Sequence, residues 1–228
     1  MDDENSRSPS VSRFKAVLFD FDYTLADSSP GVIACMNYAL EHMGLPLAEP
    51  DTIRKLIGIS LDESFRALAG DRRDVSVEEF KRLFVERGDH IMLEGTRVFD
   101  SVLPVTRELK AQGVTLGIVS TKFRYRIEDI LLRDRLLNMF SIIVGGEDVQ
   151  AHKPDPAGLQ KAMRKLGRAP AEVLYVGDST VDAETAGRAG VLFVAVLTGP
   201  TPREAFRAYG RFPIISDLTE LPPLLPAA

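Results

Sequence analysis

The sequence predicts an α/β fold, a doubly wound parallel sheet interrupted just after its first strand by a helical block. Three observations carry this. Short β-branched runs, apolar on both alternating faces, recur along the chain, as strands covered on both sides do. Segments with helical spacing separate these runs, which makes βαβ units. One long stretch, from about residue 27 to 96, holds helical patterns and no strand-like run.

Residues 1–13 are polar, show no periodicity and read as a flexible tail. The first strand, Ala16-Val17-Leu18-Phe19, ends at Asp20. Helical patterns then occupy 31–43, 51–57, 61–69 and 76–94, with Gly44, Pro46, Gly58 and Gly70 as stops and turns. Strand-like runs at 114–119, 142–144, 173–176 and 191–196 alternate with helical patterns at 101–112, 124–133, 156–167 and 180–189. A last run at 212–215 and the segment 218–225 close the sheet. The expected division is a core of 14–26 and 97–228 and an inserted helical domain of 27–96.

The composition excludes several classes. With 228 residues, 45% hydrophobic and 27% charged, the chain is an ordinary globular protein long enough to bury its own core. A net charge of −5 argues against a nucleic-acid surface. No run of about 18 apolar residues suggests a membrane span, and no apolar leader suggests secretion. The single cysteine, Cys35, lies in an apolar run as a packed small hydrophobe and forbids an internal disulfide. A cytoplasmic enzyme or binding protein, monomer or homodimer, is the expectation.

In an open α/β sheet, ligands bind beyond the carboxyl ends of the strands. Right-handed crossovers gather those ends along one edge. The first strand runs into Asp20-Phe21-Asp22 and the second into Ser120-Thr121. The run at 173–176 leads to Gly177-Asp178-Ser179, with Asp182 one helical turn on, and Lys153 precedes the helix at 156–167. Any one of these alone reads as a helix cap or a solvated charge. Coincidence at four strand ends does not. Carboxylates from different strands suit magnesium, which keeps several waters. A carboxylate beside the ion can attack phosphorus, and a second one can move protons. An ammonium and a hydroxyl steady the charge on transferring oxygens. The set suits phosphoryl transfer.

These residues resemble the four motifs of the haloacid dehalogenase superfamily: Asp20-Phe21-Asp22-Tyr23-Thr24-Leu25, Ser120, Lys153-Pro154, and Gly177-Asp178-Ser179-Thr180-Val181-Asp182. The resemblance covers the chain beyond residue 13 and implies a Rossmann-like core with a helical cap of the C1 type. The stretch from Gly146 to Pro156 and the turn Ile57-Gly58-Ile59-Ser60 are similar to the phosphoglycolate phosphatase-like branch. By this resemblance Asp20 is the nucleophile and a magnesium ligand, and Asp22 the general acid and base, its main-chain carbonyl also reaching the metal. Ser120 hydrogen-bonds the phosphoryl oxygens, Lys153 neutralises the nucleophile, and Asp178 ligates magnesium. Asp182 and Ser179 stand behind these, Asp182 orienting waters or Lys153. Thr24, Thr121, Arg54 and Gly58 are the expected substrate-binding positions, Arg54 as a cap cation able to reach a carboxylate or second phosphate. Asp22 favours phosphate chemistry over dehalogenation, which needs no leaving-group acid.

One departure stands out. The family places Gly after the second Asp, where this chain has Tyr23. A tyrosine there means ordinary backbone angles or local strain, with its ring either packed or forming an aromatic wall. The implied function is a magnesium-dependent phosphatase of a small phosphorylated metabolite, phosphoglycolate being the nearest named guess. A phosphomutase or a pyrophosphatase of the same fold, and a silent partner-binding protein, are the competing readings.

Overall fold

The structure, a computed structural model, describes residues 14–70, 72 and 74–225; the expected tail at 1–13 lies outside them. Six parallel strands form the sheet: β1 (Ala16–Phe19), β4 (Thr115–Val119), β5 (Ile142–Val144), β6 (Val173–Gly177), β7 (Leu192–Val196) and β8 (Ile214–Ile215). Their spatial order is β5-β4-β1-β6-β7-β8. β1 lies between β4, with Phe19 opposite Ile118, and β6, with Phe19 opposite Val176. The chain winds outward from β1 in one direction, then returns past it and winds out in the other. The switch between the two halves therefore falls beside β1, where the carboxyl ends part to leave a crevice.

Alternation along the strands fills a core on each face. Val17, Phe19, Leu116, Ile118, Leu174 and Val176 pack on one side. Ala16, Leu18, Val173, Tyr175, Phe193 and Ala195 pack on the other. The helices covering them are α5 (Val102–Ala111), α6 (Arg124–Arg133), α7 (Ala157–Leu166) and α8 (Thr180–Ala189). α7 and α8 stop at Gly167 and Gly190, both left-handed, where glycine has no Cβ to clash.

The helical block leaves and re-enters through a small antiparallel ribbon, β2 (Ala26–Asp27) against β3 (Arg97–Val98). No strand was expected at this entry point. Its two residues per strand are too few for a period to show. Between them lie α1 (Ser29–His42), α2 (Pro50–Arg54), α3 (Leu61–Ala69) and α4 (Val77–Ile91). α2 is shorter than the helical pattern at 51–57, because the chain turns at Leu56 and Ile57 toward Gly58. A separate cluster holds the block together, including Cys35, Leu40, Ile53, Phe65, Phe80 and Phe84. Cys35 is fully buried there, a packing residue. Ser60 caps α3 reciprocally with Glu63, fixing the turn that carries Gly58. Among the described residues no helix is long and apolar enough to cross a membrane.

Candidate active site

The acids and bases collect at the carboxyl edge. Asp20 follows β1, Ser120 follows β4, Lys153 lies in the loop after β5, and Asp178 follows β6. All four are buried, as are Asp22 and Asp182. Residues far apart in sequence share one edge because β1 sits between β4 and β6.

Lys153 organises the centre. Its Nζ donates to Asp182 Oδ1 at 2.6 Å and to the Tyr175 hydroxyl at 3.3 Å. It also stands 3.0 Å from Asp20 Oδ1 as an ion pair. Burial lowers the proton affinity of this ammonium, but Asp182 and then Asp20 outweigh it and hold the group above the ordinary lysine range. Asp182 has both oxygens engaged. Oδ1 also accepts from Tyr175 at 2.9 Å, and Oδ2 accepts from the amide and the hydroxyl of Ser179 at 3.1 and 2.6 Å. Ser179 caps α8, so the cap that starts the helix also fixes the carboxylate that holds Lys153. Gly177 makes this possible: a Cβ there would come within 2.5 Å of Asp182 Cγ.

Asp20, Asp178 and Asp182 each offer an oxygen within 4.8 Å of the others. Burial, offset in part by Lys153 and reinforced by Asp182 and Asp22, pushes the Asp20 carboxyl up to about 7. Burial, then Asp182 and Asp20, raises Asp178 well above the usual carboxylate range. Asp20 Oδ1 is buried and faces Lys153 Nζ. Clustered hard oxygen donors with surplus negative charge fit a hard divalent cation. Because the oxygens of Asp182 are engaged, Asp20 and Asp178 are the donors left for it. Gly199 closes the space beside them, its absent Cβ lying 1.9 Å from Asp178 Oδ2.

The Asp22 carboxylate points elsewhere. β1 ends at Phe19, and the next residues turn, with the amides of Leu25 and Ala26 bonded to the Phe21 carbonyl at 2.9 and 3.1 Å. Asp22 Oδ1 accepts from the Ser28 hydroxyl at 2.6 Å and from Lys122 Nζ at 3.1 Å. Asp22 thus stands outside the cluster of Asp20, Asp178 and Asp182. Tyr23 adopts a φ of +58°, the left-handed region that glycine occupies without cost. Of the two expectations for this position, strain is the one found. Its carbonyl accepts from the Thr198 hydroxyl, and its ring is buried, so it packs.

A cavity of about 70 Å³ opens between this edge and the helical block, lined by Asp22, Gly58, Thr121 and Lys122 together with apolar side chains. The Thr121 hydroxyl donates to the Gly58 carbonyl at 3.1 Å, fastening the block to the sheet. These two substrate-binding expectations thus meet each other at the cavity wall. Thr24 is fully buried in the turn after β1, its hydroxyl unpartnered. Arg54 is not among the residues lining this cavity; its guanidinium donates to Asp51 at 2.7 Å on its own short helix, an exposed pair. Sequence reasoning passed over Lys122, Ser28, Tyr175, Gly199 and Arg126. Only Arg126 carried a signal: it falls on the stripe of Ile127, Ile130 and Leu131 that buries α6, where a charge needs a reason.

The chain matches the haloacid dehalogenase-like hydrolase family over residues 17–196. It belongs to that family. It is a hydrolase, and the relatives it resembles over most of its length are phosphatases. It is 32% identical to the phosphoglycolate phosphatase of Shigella boydii, with 92% of each chain covered. It is likewise 32% identical to that of Yersinia pseudotuberculosis, with 93% and 95% covered. The crystal structure of a haloacid dehalogenase-like hydrolase from Bacteroides fragilis superposes with a TM-score of 0.88 at 45% identity, covering 91% of this chain and 99% of that one.

Proposed function

We propose that this family member is a magnesium-dependent phosphatase of a small phosphorylated metabolite of the phosphoglycolate kind, acting through an aspartyl-phosphate on Asp20. The observation that carries the reading is the separation of the two carboxylates. Asp20 sits beside Lys153 and Asp178, while Asp22 is held apart by Ser28 and Lys122.

The Asp20 oxygen attacks phosphorus, and the bond from phosphorus to the substrate oxygen breaks. Asp22 delivers a proton to that leaving oxygen. Water then attacks the acyl-phosphate, Asp22 takes the water's proton, and inorganic phosphate departs with Asp20 restored. Lys153, held by Asp182, keeps the attacking carboxylate ionised and steadies the phosphoryl oxygens, to which the Ser120 hydroxyl also donates. Asp20, Asp178 and the Asp22 carbonyl would hold magnesium, which would supply positive charge to the transferring group. The small, largely apolar cavity suits a compact substrate.

Brief mixing with phosphoglycolate and magnesium, quenched in acid, is expected to trap one phosphoryl group on Asp20, cleaved by hydroxylamine. Asp20→Asn should show none and lose on the order of 10³-fold or more in kcat. Phosphate release without a bisphosphate activator separates a phosphatase from a mutase. Wild-type turnover by Asp20→Asn would overturn the assignment.

A further inference from the structure

Four polar residues line the cavity between sheet edge and helical block: Asp22, Thr121, Lys122 and Arg126. Lys122 is bonded to Asp22, and Thr121 to Gly58. Arg126 is the cation with no carboxylate of the cavity beside it. We propose that Arg126 determines specificity by binding a compact second anionic group of the substrate, a carboxylate or a second phosphate, at the end away from the transferring phosphoryl group. The inference rests on the phosphatase reading above.

Arg126 lies in the first turn of α6 with only 5% of its side chain exposed. Its Nη2 donates to the Val85 carbonyl at 2.8 Å and to Asp89 Oδ1 at 2.7 Å, both on α4. The Nε–H is buried and has no partner. A strut between sheet and helical block needs Nη2 alone and leaves that donor unexplained. A buried donor without an acceptor is costly unless something the site takes up supplies one. The charge is only partly offset as well. Asp89 is 48% exposed, and its Oδ1 also accepts from the Tyr125 hydroxyl at 2.6 Å.

The surroundings hold the guanidinium in place. The rings of Phe84, Phe123 and Tyr125 lie 5.8, 5.3 and 5.5 Å from its Cζ. Gly88 on α4 leaves room for it, since a Cβ there would come within 2.6 Å of Nη1. With both Nη2 hydrogens engaged, the fixed Nε–H is left as a charge-assisted donor, which favours one oxygen of a carboxylate or phosphate over a neutral hydroxyl.

The test compares kcat/KM for phosphoglycolate, pyrophosphate and hydroxyethyl phosphate, whose far end is uncharged, in the wild type, Arg126→Gln and Arg126→Lys. The wild type is expected to favour at least one anionic compound over hydroxyethyl phosphate by about tenfold or more. Arg126→Gln should lose that preference, chiefly through KM, and Arg126→Lys should keep part of it. Whether phosphoglycolate or pyrophosphate is favoured tells carboxylate from phosphate. A wild type without preference overturns the proposal, whether or not the variants fold. An Arg126→Gln protein weakened equally on all three compounds also overturns it, leaving a strut. A wild type that releases phosphate from none of them overturns the phosphatase reading, and this inference with it.

Discussion

Lys122 Nζ and Asp22 Oδ1 lie 3.1 Å apart in the cavity wall, both side chains almost sealed from solvent and 100 positions apart in the chain. Removing one partner of such a pair strands the other as a buried charge. Lys122→Met is therefore expected to lower the melting temperature and to cut kcat on the order of 10²-fold by misplacing Asp22. Lys122→Arg should recover part of both. Steady-state kinetics beside thermal unfolding checks this, and an unchanged kcat in a destabilised Lys122→Met would confine Lys122 to packing.

The metal-free protein should be less stable in alkali. Burial raises Asp20 from 3.8 to about 7, and Asp178 moves in the same direction. The folded chain therefore holds these protons more tightly than the unfolded one. The stabilisation is complete below the ordinary carboxylate range and is lost as pH rises through about 7. With chelator present, the melting temperature should fall by several degrees between about pH 5 and pH 8. Added magnesium should flatten that slope and raise the alkaline value.

Gly199 leaves no room for a side chain, its absent Cβ lying 1.9 Å from Asp178 Oδ2. Gly199→Ala must displace the Asp178 carboxylate. The magnesium concentration for half-maximal activity should rise by about tenfold or more, read from activity against magnesium at fixed substrate.

The Thr121 hydroxyl fastens the helical block at the Gly58 carbonyl. One net hydrogen bond is worth about 1 kcal/mol, so Thr121→Ala should raise KM by about fivefold and change kcat less. Thr121→Ser should restore it. A KM unmoved in Thr121→Ala would show that this contact does not hold the cavity closed.

Much of this was readable before any coordinates. The strand runs at 16–19, 142–144 and 173–176 are short and apolar on both faces, as strands of a covered parallel sheet are. Asp20, Ser120, Lys153 and Asp178 stood out because each ends or follows such a run. The ribbon of Ala26–Asp27 and Arg97–Val98 was invisible, being too short to carry a period. Lys122 and Arg126 were passed over because a cation near a strand end or on a helix is ordinarily solvated.

The sequence alone determined the α/β class, the position of the helical insertion and the acids and lysine at the strand ends, because period and strand-end chemistry are local properties of the chain. Only the tertiary structure decided the pairings. It turned Asp22 to Lys122, gave Asp182 to Lys153, held Arg54 on its own helix and placed Arg126 in the cavity wall. Which partner a charge finds depends on the packing of segments distant in sequence, since a buried ion must take whatever counter-charge the fold brings within reach.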